Sequence, residues 1–298
     1  MHHVAYNYDQ ASFQVPPAYE KHSQGYSRVA LGDHTIAGAV HTGLGLCKLD
    51  AHGTLNPHVH FYEEAFFMLE GQVLESIDGH DYQLGPGDYG IIQAGVPHAL
   101  RNVGDQAVRW LEMLSPQPKA PGQERDTFFF KMETALVEGN PPDFRDPMTR
   151  YLGHFDDAQM PPPSQLQMEG YRRVAGSSIF GISLKMLVDH MLGAQHLTLF
   201  MVEFQPGGEG NIHDHPFEET YFLLSGEAEA ILDGKTYHVK AGDYVWTGVG
   251  GTHGFFNKGA APVRWIETQS PQPPNQQGFR FPADWAYLAE KLDAQDSW

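Results

Sequence analysis

The chain is nearly without cysteine: Cys47 is the only one in 298 residues. No intrachain disulfide can form, so cysteine usage gives no support for an oxidising compartment. Positive charge is scarce as well. Lys and Arg number 19 against 37 Asp and Glu, a formal net charge of -18. Nucleic acid is bound by cations that displace its counterions, and anionic membrane surfaces attract polybasic segments, so neither is an expected partner. Long apolar runs are missing too: no stretch reaches the roughly 18 uncharged residues of a membrane helix. The first residues, Met1 to Asp9, lack the basic start and apolar run of a signal peptide. We therefore expect a cytoplasmic protein that acts on a small molecule, with no membrane and no nucleic acid partner. Self-association into a homo-oligomer stays open.

What is present is an internal repeat, the feature that decides architecture. Arg109-Trp110-Leu111-Glu112 recurs as Arg264-Trp265-Ile266-Glu267, and Ser115-Pro116-Gln117-Pro118 as Ser270-Pro271-Gln272-Pro273. Asp78-Gly79 recurs as Asp233-Gly234, and Gly87-Asp88-Tyr89 as Gly242-Asp243-Tyr244. Every pair is 155 residues apart, without a gap from Gly53 to Pro118. An upstream block, Gly25 to Ala30, matches Gly170 to Ala175 at an offset of 145. The second copy is thus expected to carry about ten extra residues before Gly207, with Leu184 to Gln195 as the candidate segment.

The repeat divides the chain into an N-terminal domain over 1–118, a connector over 119–150, a C-terminal domain over 151–273 and a tail over 274–298. The connector has a helix-compatible piece, Phe128 to Val137, followed by breakers at Gly139-Asn140-Pro141-Pro142. The tail has Trp285, Leu288 and Leu292 at helical spacing, which predicts a short C-terminal helix. Inside each copy, β-branched and aromatic runs alternate with Gly, Pro and Asp turns every 8–12 residues, the rhythm of an all-β sandwich or small barrel. A parallel α/β sheet would need long helical patterns between the strands, and there are none.

His58-Val59-His60-Phe61-Tyr62-Glu63-Glu64 carries the chemistry. Side chains on a strand alternate faces, so His58, His60 and Glu64 share one face while Phe61 and Glu63 take the other. Two imidazoles and a carboxylate form a mixed nitrogen and oxygen set suited to Fe, Mn, Ni, Cu or Zn. His98, after the turn at Gly95-Val96-Pro97, can add a fourth ligand from a later strand. The second copy repeats the set as His213, His215, Glu219 and His253. A lone strand histidine is ordinarily structural; four ligand types in one phase, twice in register, point to two divalent transition metals per chain. Glu63 and Glu218, out of phase, are expected to be solvated or to pair with a neighbouring strand. Arg109 and Arg264 are expected to pair with carboxylates in support of the fold. Tyr62 and Phe66, and Phe217 and Tyr221, share the ligands' phase.

At these residues the chain resembles the cupin superfamily, whose motifs read G-x5-H-x-H-x3,4-E-x6-G and G-x5-P-x-G-x2-H-x3-N. The match runs from His58 through Glu64 to Gly71 and from Gly95 to Asn102, and again from His213 through Glu219 to Gly226 and from Gly250 to Asn257. Gly53 stands one residue too close to His58, and the motif proline is replaced by Gln93 and Gly248. The resemblance implies two tandem double-stranded β-helix (jelly-roll) barrels, a bicupin, with a metal deep in each and a coordination position open to substrate. Glu64 and Glu219 are then the candidate catalytic carboxylates beside their ligand role. Gentisate-type dioxygenases usually lack this glutamate, and oxalate decarboxylases are normally longer. The ligand pattern is most similar to quercetin-dioxygenase-like bicupins, which implies a non-haem dioxygenase acting on a small phenolic or enolisable compound. A non-redox hydrolase, isomerase or decarboxylase, and a non-catalytic binding protein, remain as alternatives. Because in-phase neighbours differ and the second copy carries the extra residues, its metal is expected to be the main catalytic one.

Overall fold

The computed structural model describes residues 2–8, 12–131, 136–163 and 179–272. The predicted C-terminal helix therefore lies outside the described residues. The first sheet is built from β2 (Ser23–Gly32), β3 (Gly43–His60), β4 (Glu63–Glu70), β5 (Val73–Ile77), β6 (His80–Leu84), β7 (Asp88–Ile92), β8 (His98–Arg101), β9 (Val108–Ser115), β10 (Thr127–Phe129) and β11 (Leu152–His154). The second is built from β1 (His3–Asn7), β12 (Ile179–Val188), β13 (Thr198–His213), β14 (Glu218–Ser225), β15 (Glu227–Leu232), β16 (Lys235–Lys240), β17 (Asp243–Thr247), β18 (His253–Phe256) and β19 (Val263–Ser270). All named pairings are antiparallel, and each sheet curls into a barrel.

The halves exchange edge strands. β1 pairs with β17 of the second barrel, Tyr6 opposite Tyr244, although it comes first in the chain. β11, which follows the connector, returns to pair with β7 of the first barrel. Each barrel thus has one edge covered by chain that precedes or follows it, which removes an exposed row of backbone donors.

Strand parity separates three cores. In β4, Phe66 and Met68 point into the first barrel with Tyr26, Leu49, Ile92, Leu100 and Trp110. The alternate residues Ala65 and Phe67 point out, to a core shared by the two barrels with Leu199, Met201, Phe222, Trp246 and Ile266. Phe200, Val202, Tyr221, Leu223 and Trp265 fill the second barrel. Strands buried on both faces explain why the hydrophobic runs look continuous rather than alternating.

Three expectations are corrected. The piece from Phe128 does not begin as a helix: Thr127–Phe129 is a strand whose aromatic residues pair with β3, Phe129 opposite His58. Leu184 to Gln195 holds no insertion. Arg28 lies opposite Cys47, and Leu184 lies opposite Val202, the residue 155 places on from Cys47, so β12 is the direct counterpart of β2. The turn that follows is of similar length in both copies, Asp33 to Thr42 and Asp189 to Leu197. The upstream match at Gly170 to Ala175 lies outside the described residues. Finally, Glu63 and Glu218 are not solvated; both are buried, with partners given below.

The departure at Gly53 also resolves. The position 155 residues before Gly207 is His52, and both adopt the left-handed backbone, φ 59° for His52 and 78° for Gly207. Gly207 does so without cost, whereas a residue with a Cβ pays roughly 1–2 kcal/mol. We expect His52→Gly to raise the denaturant midpoint by the equivalent of up to about 1 kcal/mol, the strain relief being partly offset by a more flexible unfolded chain. Gly207→Ala should lower it. Equal midpoints for both variants and the wild type would contradict the assignment.

Candidate functional site

β3 and β13 deliver the first two histidines of each set, and β4 and β14 the glutamate. The fourth ligand comes from the start of β8 or β18, which lies beside the histidine strand: His58 pairs with His98, and His213 with His253. The structure brings all eight predicted residues together, four in each barrel. In the first, donor atoms of His60, Glu64 and His98 lie within 4.8 Å of one another, and the His58 ring sits 3.9 Å from that of His98. Glu64 Oε2 is 3.1 Å from His60 Nε2 and 3.7 Å from His98 Nε2. In the second, His213, His215 and His253 form the cluster, and Glu219 Oε2 is 2.8 Å from His215 Nε2 and 3.0 Å from His253 Nε2.

Each of the six imidazoles is held by a backbone carbonyl two residues away. His58 Nδ1 donates to Asn56 O, His60 to Tyr62 O and His98 to Val96 O, at 2.9, 2.6 and 3.1 Å. His213, His215 and His253 donate to Asn211 O, Phe217 O and Gly251 O, at 2.7, 2.9 and 2.9 Å. A carbonyl can only accept, so Nδ1 carries the proton and Nε2 presents its lone pair to the centre. That is the outer support that orients metal-binding histidines. Burial lowers the pKa of His58 to about 4, of His213 to about 3 and of His98 well below the usual range, so protons compete weakly for these three at neutral pH. At His215 burial also lowers it, but Glu219 outweighs burial and the net shift is upward. Burial alone would raise the Glu219 carboxyl, but His215 and His253 outweigh it and hold it well below the usual range. Three neutral imidazoles and one carboxylate, fixed in this way, fit a divalent metal in each barrel.

The surroundings of the two centres differ. Glu219 accepts hydrogen bonds from Tyr221 Oη and, at 2.7 Å, from Gln269 Nε2. The first-barrel counterparts are Phe66 and Leu114, which have nothing to donate. Tyr62 stacks on His60 at 4.2 Å as Phe217 stacks on His215 at 3.8 Å. Arg101, which stands where the second copy has Phe256, turns away and donates to Leu136 O.

Sequence reasoning missed a second set of groups. Leu114 pairs with Glu64 and Glu112 with Phe66, so both point into the first barrel beside the ligand. Glu112 is buried, accepts from the Cys47 thiol at 2.8 Å and lies 3.5 Å from Arg28 Nε. Burial pushes its carboxyl above the ordinary range, with Arg28 opposing. Glu75, also buried in this barrel, is pushed well up by burial and by Glu64. Glu112 was within reach of sequence reasoning: alternation along Trp110, Glu112 and Leu114 puts it on the inner face. A cavity of about 490 Å³ opens here, lined by Tyr19, Tyr26, Arg28, Tyr62 and Glu112.

The out-of-phase pair works elsewhere. Glu63 accepts from the backbone N–H of Gln195 and His196 at 2.7 and 2.8 Å. Glu218 accepts from the N–H of Val40, His41 and Thr42, from Thr42 Oγ1 and from Trp246 Nε1. Each barrel thus clamps the matching turn of the other. Arg109 pairs with Glu70, and Arg264 with Glu203 and Asp157, as the repeat suggested.

Comparison with known proteins agrees with this geometry. The cupin domain model matches twice, at residues 45–114 and 200–268. No curated protein sequence matches. Among solved structures, a formate complex of Lactobacillus farciminis oxalate decarboxylase aligns with TM-score 0.64 and 16% identity, covering 98% of this chain and 92% of that one. A putative glyoxylate-induced protein from Pseudomonas aeruginosa aligns at 0.63 and 16%, covering 93% and 91%. Protein YlbA from E. coli aligns at 0.61 and 13%, covering 93% of each chain. At such identities the structures speak for the fold. With a cupin domain in each half and tandem barrels to match, the chain is a bicupin, a member of the cupin superfamily.

Proposed function

We propose that this bicupin is a metal-dependent enzyme whose chemistry takes place in the first barrel, on a small acid, by proton transfer of the decarboxylase kind. The observation that carries the reading is Glu112: a buried carboxyl with an upshifted pKa, beside a candidate metal centre, facing a cavity of ligand size. A metal held by His58, His60, Glu64 and His98 would supply Lewis-acid stabilisation of negative charge on a substrate oxygen. When a carbon–carboxylate bond breaks and CO2 leaves, the electron pair stays on carbon and needs a proton. Glu112 is placed to hold that proton out of bulk water and deliver it, and Tyr62 and Tyr19 wall the cavity beside His60 and His58. The similarity in fold to oxalate decarboxylases supports this class.

The choice of barrel reverses the expectation from sequence. That expectation leaned on differing in-phase neighbours and on an extra segment over Leu184 to Gln195, and the segment holds no insertion. In the second barrel Glu219 is also tied down by Tyr221 and Gln269, as befits a centre held for structure. A dioxygenase acting on a phenol or enol is the second reading, favoured by the three tyrosines of the cavity wall.

Gas exchange separates the two. Metal-replete protein supplied with a panel of small carboxylic acids and phenols is expected to release CO2 without stoichiometric O2 uptake. O2 consumption in step with turnover would establish the dioxygenase reading instead, and no turnover of any panel member would count against both.

A further inference from the structure

We infer that the first barrel recognises its substrate by a carboxylate, and that Arg28 is the residue that anchors it. The inference deepens the first-barrel reading above and rests on it. Arg28 lies inside the barrel with its side chain only 13% exposed, and its Nε is buried without a hydrogen bond. Among the described residues its acidic contact is Glu112, with Oε2 3.5 Å from Nε, longer than the charge-assisted hydrogen bonds a guanidinium makes with a committed carboxylate partner. Glu112 is meanwhile engaged by the Cys47 thiol. A buried guanidinium with its Nε donor unmet is costly. Such a group in a protein calls for an explanation, and a ligand carboxylate provides one.

The second barrel serves as an internal control. The register that sets Arg28 opposite Cys47 sets Leu184 opposite Val202, and Leu184 is 46% exposed. The fold therefore does not require a cation at this place in β2; the first barrel alone carries it. Arg28 also lines the cavity of about 490 Å³, whose tyrosine rings suit a flat or apolar body. A molecule with a carboxylate on Arg28 would lie in the cavity that Arg28, Glu112 and Tyr62 line, Tyr62 being the residue stacked on His60. The expected substrates are small organic acids, and their amides and esters should be excluded.

The test is binding rather than turnover, so it survives failure of the functional reading. Calorimetric titrations compare benzoate and pentanoate with their amides, on protein as isolated and after metal is stripped by chelator. We expect at least one acid to bind the metal-stripped protein tenfold or more tightly than its amide. Arg28→Gln should abolish that preference, Arg28→Lys should keep part of it, and Arg109→Gln, a surface arginine paired with Glu70, should leave it unchanged. Acid and amide binding alike to wild-type protein would overturn the inference without any variant having to fold. So would Arg28→Gln retaining the full preference. Absence of any decarboxylation or O2 uptake, with acid preference intact and dependent on Arg28, would sink the functional reading and leave this one standing.

Discussion

Glu218→Ala is expected to lose at least about 3 kcal/mol of stability, the largest effect of any substitution outside the metal ligands. The carboxylate satisfies three backbone N–H groups, a hydroxyl and an indole at the junction of the barrels. Removing it strands several buried donors at once, and each stranded donor costs roughly 1–3 kcal/mol. Glu63→Ala strands two, Gln195 N and His196 N, and should cost less. Denaturant melts give the order directly: wild type, then Glu63→Ala, then Glu218→Ala. If Glu218→Ala melts like wild type, the clamp does not hold the barrels together. If Glu63→Ala is the worse of the two, the donor count is not what sets the cost.

Glu112→Gln is expected to lower kcat by roughly 10²–10⁴, the range for loss of a positioned proton donor. Metal content and fold should be unchanged, since Glu112 is not among the ligands and glutamine preserves its shape. The pH profile adds a signature that a merely structural role would not produce. Burial raises the Glu112 pKa above the ordinary carboxylate range. The protonated, donating form therefore persists above the pH at which an exposed glutamate has ionised, and it is lost as pH rises through the folded value. The wild-type rate should fall on the alkaline side of that value, and Glu112→Gln should lose this limb. A variant with the wild-type rate, or one that keeps the alkaline limb, would remove Glu112 from the chemistry.

Much of this was legible in the residues. The repeat at 155 residues and the period-two spacing of His58, His60 and Glu64 are local patterns, and a local pattern survives into a strand. The edge strands were not legible. His3–Asn7 pairs with a strand some 240 residues later in sequence, and a pairing so distant leaves no periodicity to read. Glu63 and Glu218 were placed correctly on the face away from the ligands. That face was expected to meet solvent or a neighbouring strand, because one barrel read alone has a wet exterior; the exterior here packs on its twin. Arg28 was hidden differently. The match of Gly25–Ala30 to Gly170–Ala175 set it opposite Arg173 in the repeat and gave it no role of its own. Strand pairing instead aligns Arg28 with Leu184 and leaves it peculiar to the first barrel.

A divalent metal in each barrel, held by His58, His60, Glu64 and His98 and by His213, His215, Glu219 and His253, is what the proposed chemistry depends on most. Elemental analysis of protein purified without chelator under metal-replete conditions tests it most directly. Ligands that are buried and oriented by their backbone partners bind a divalent metal tightly, so the wild type should hold close to two equivalents, and His60→Ala and His215→Ala close to one each. A wild-type content below about half an equivalent, or a content that neither substitution changes, would contradict it.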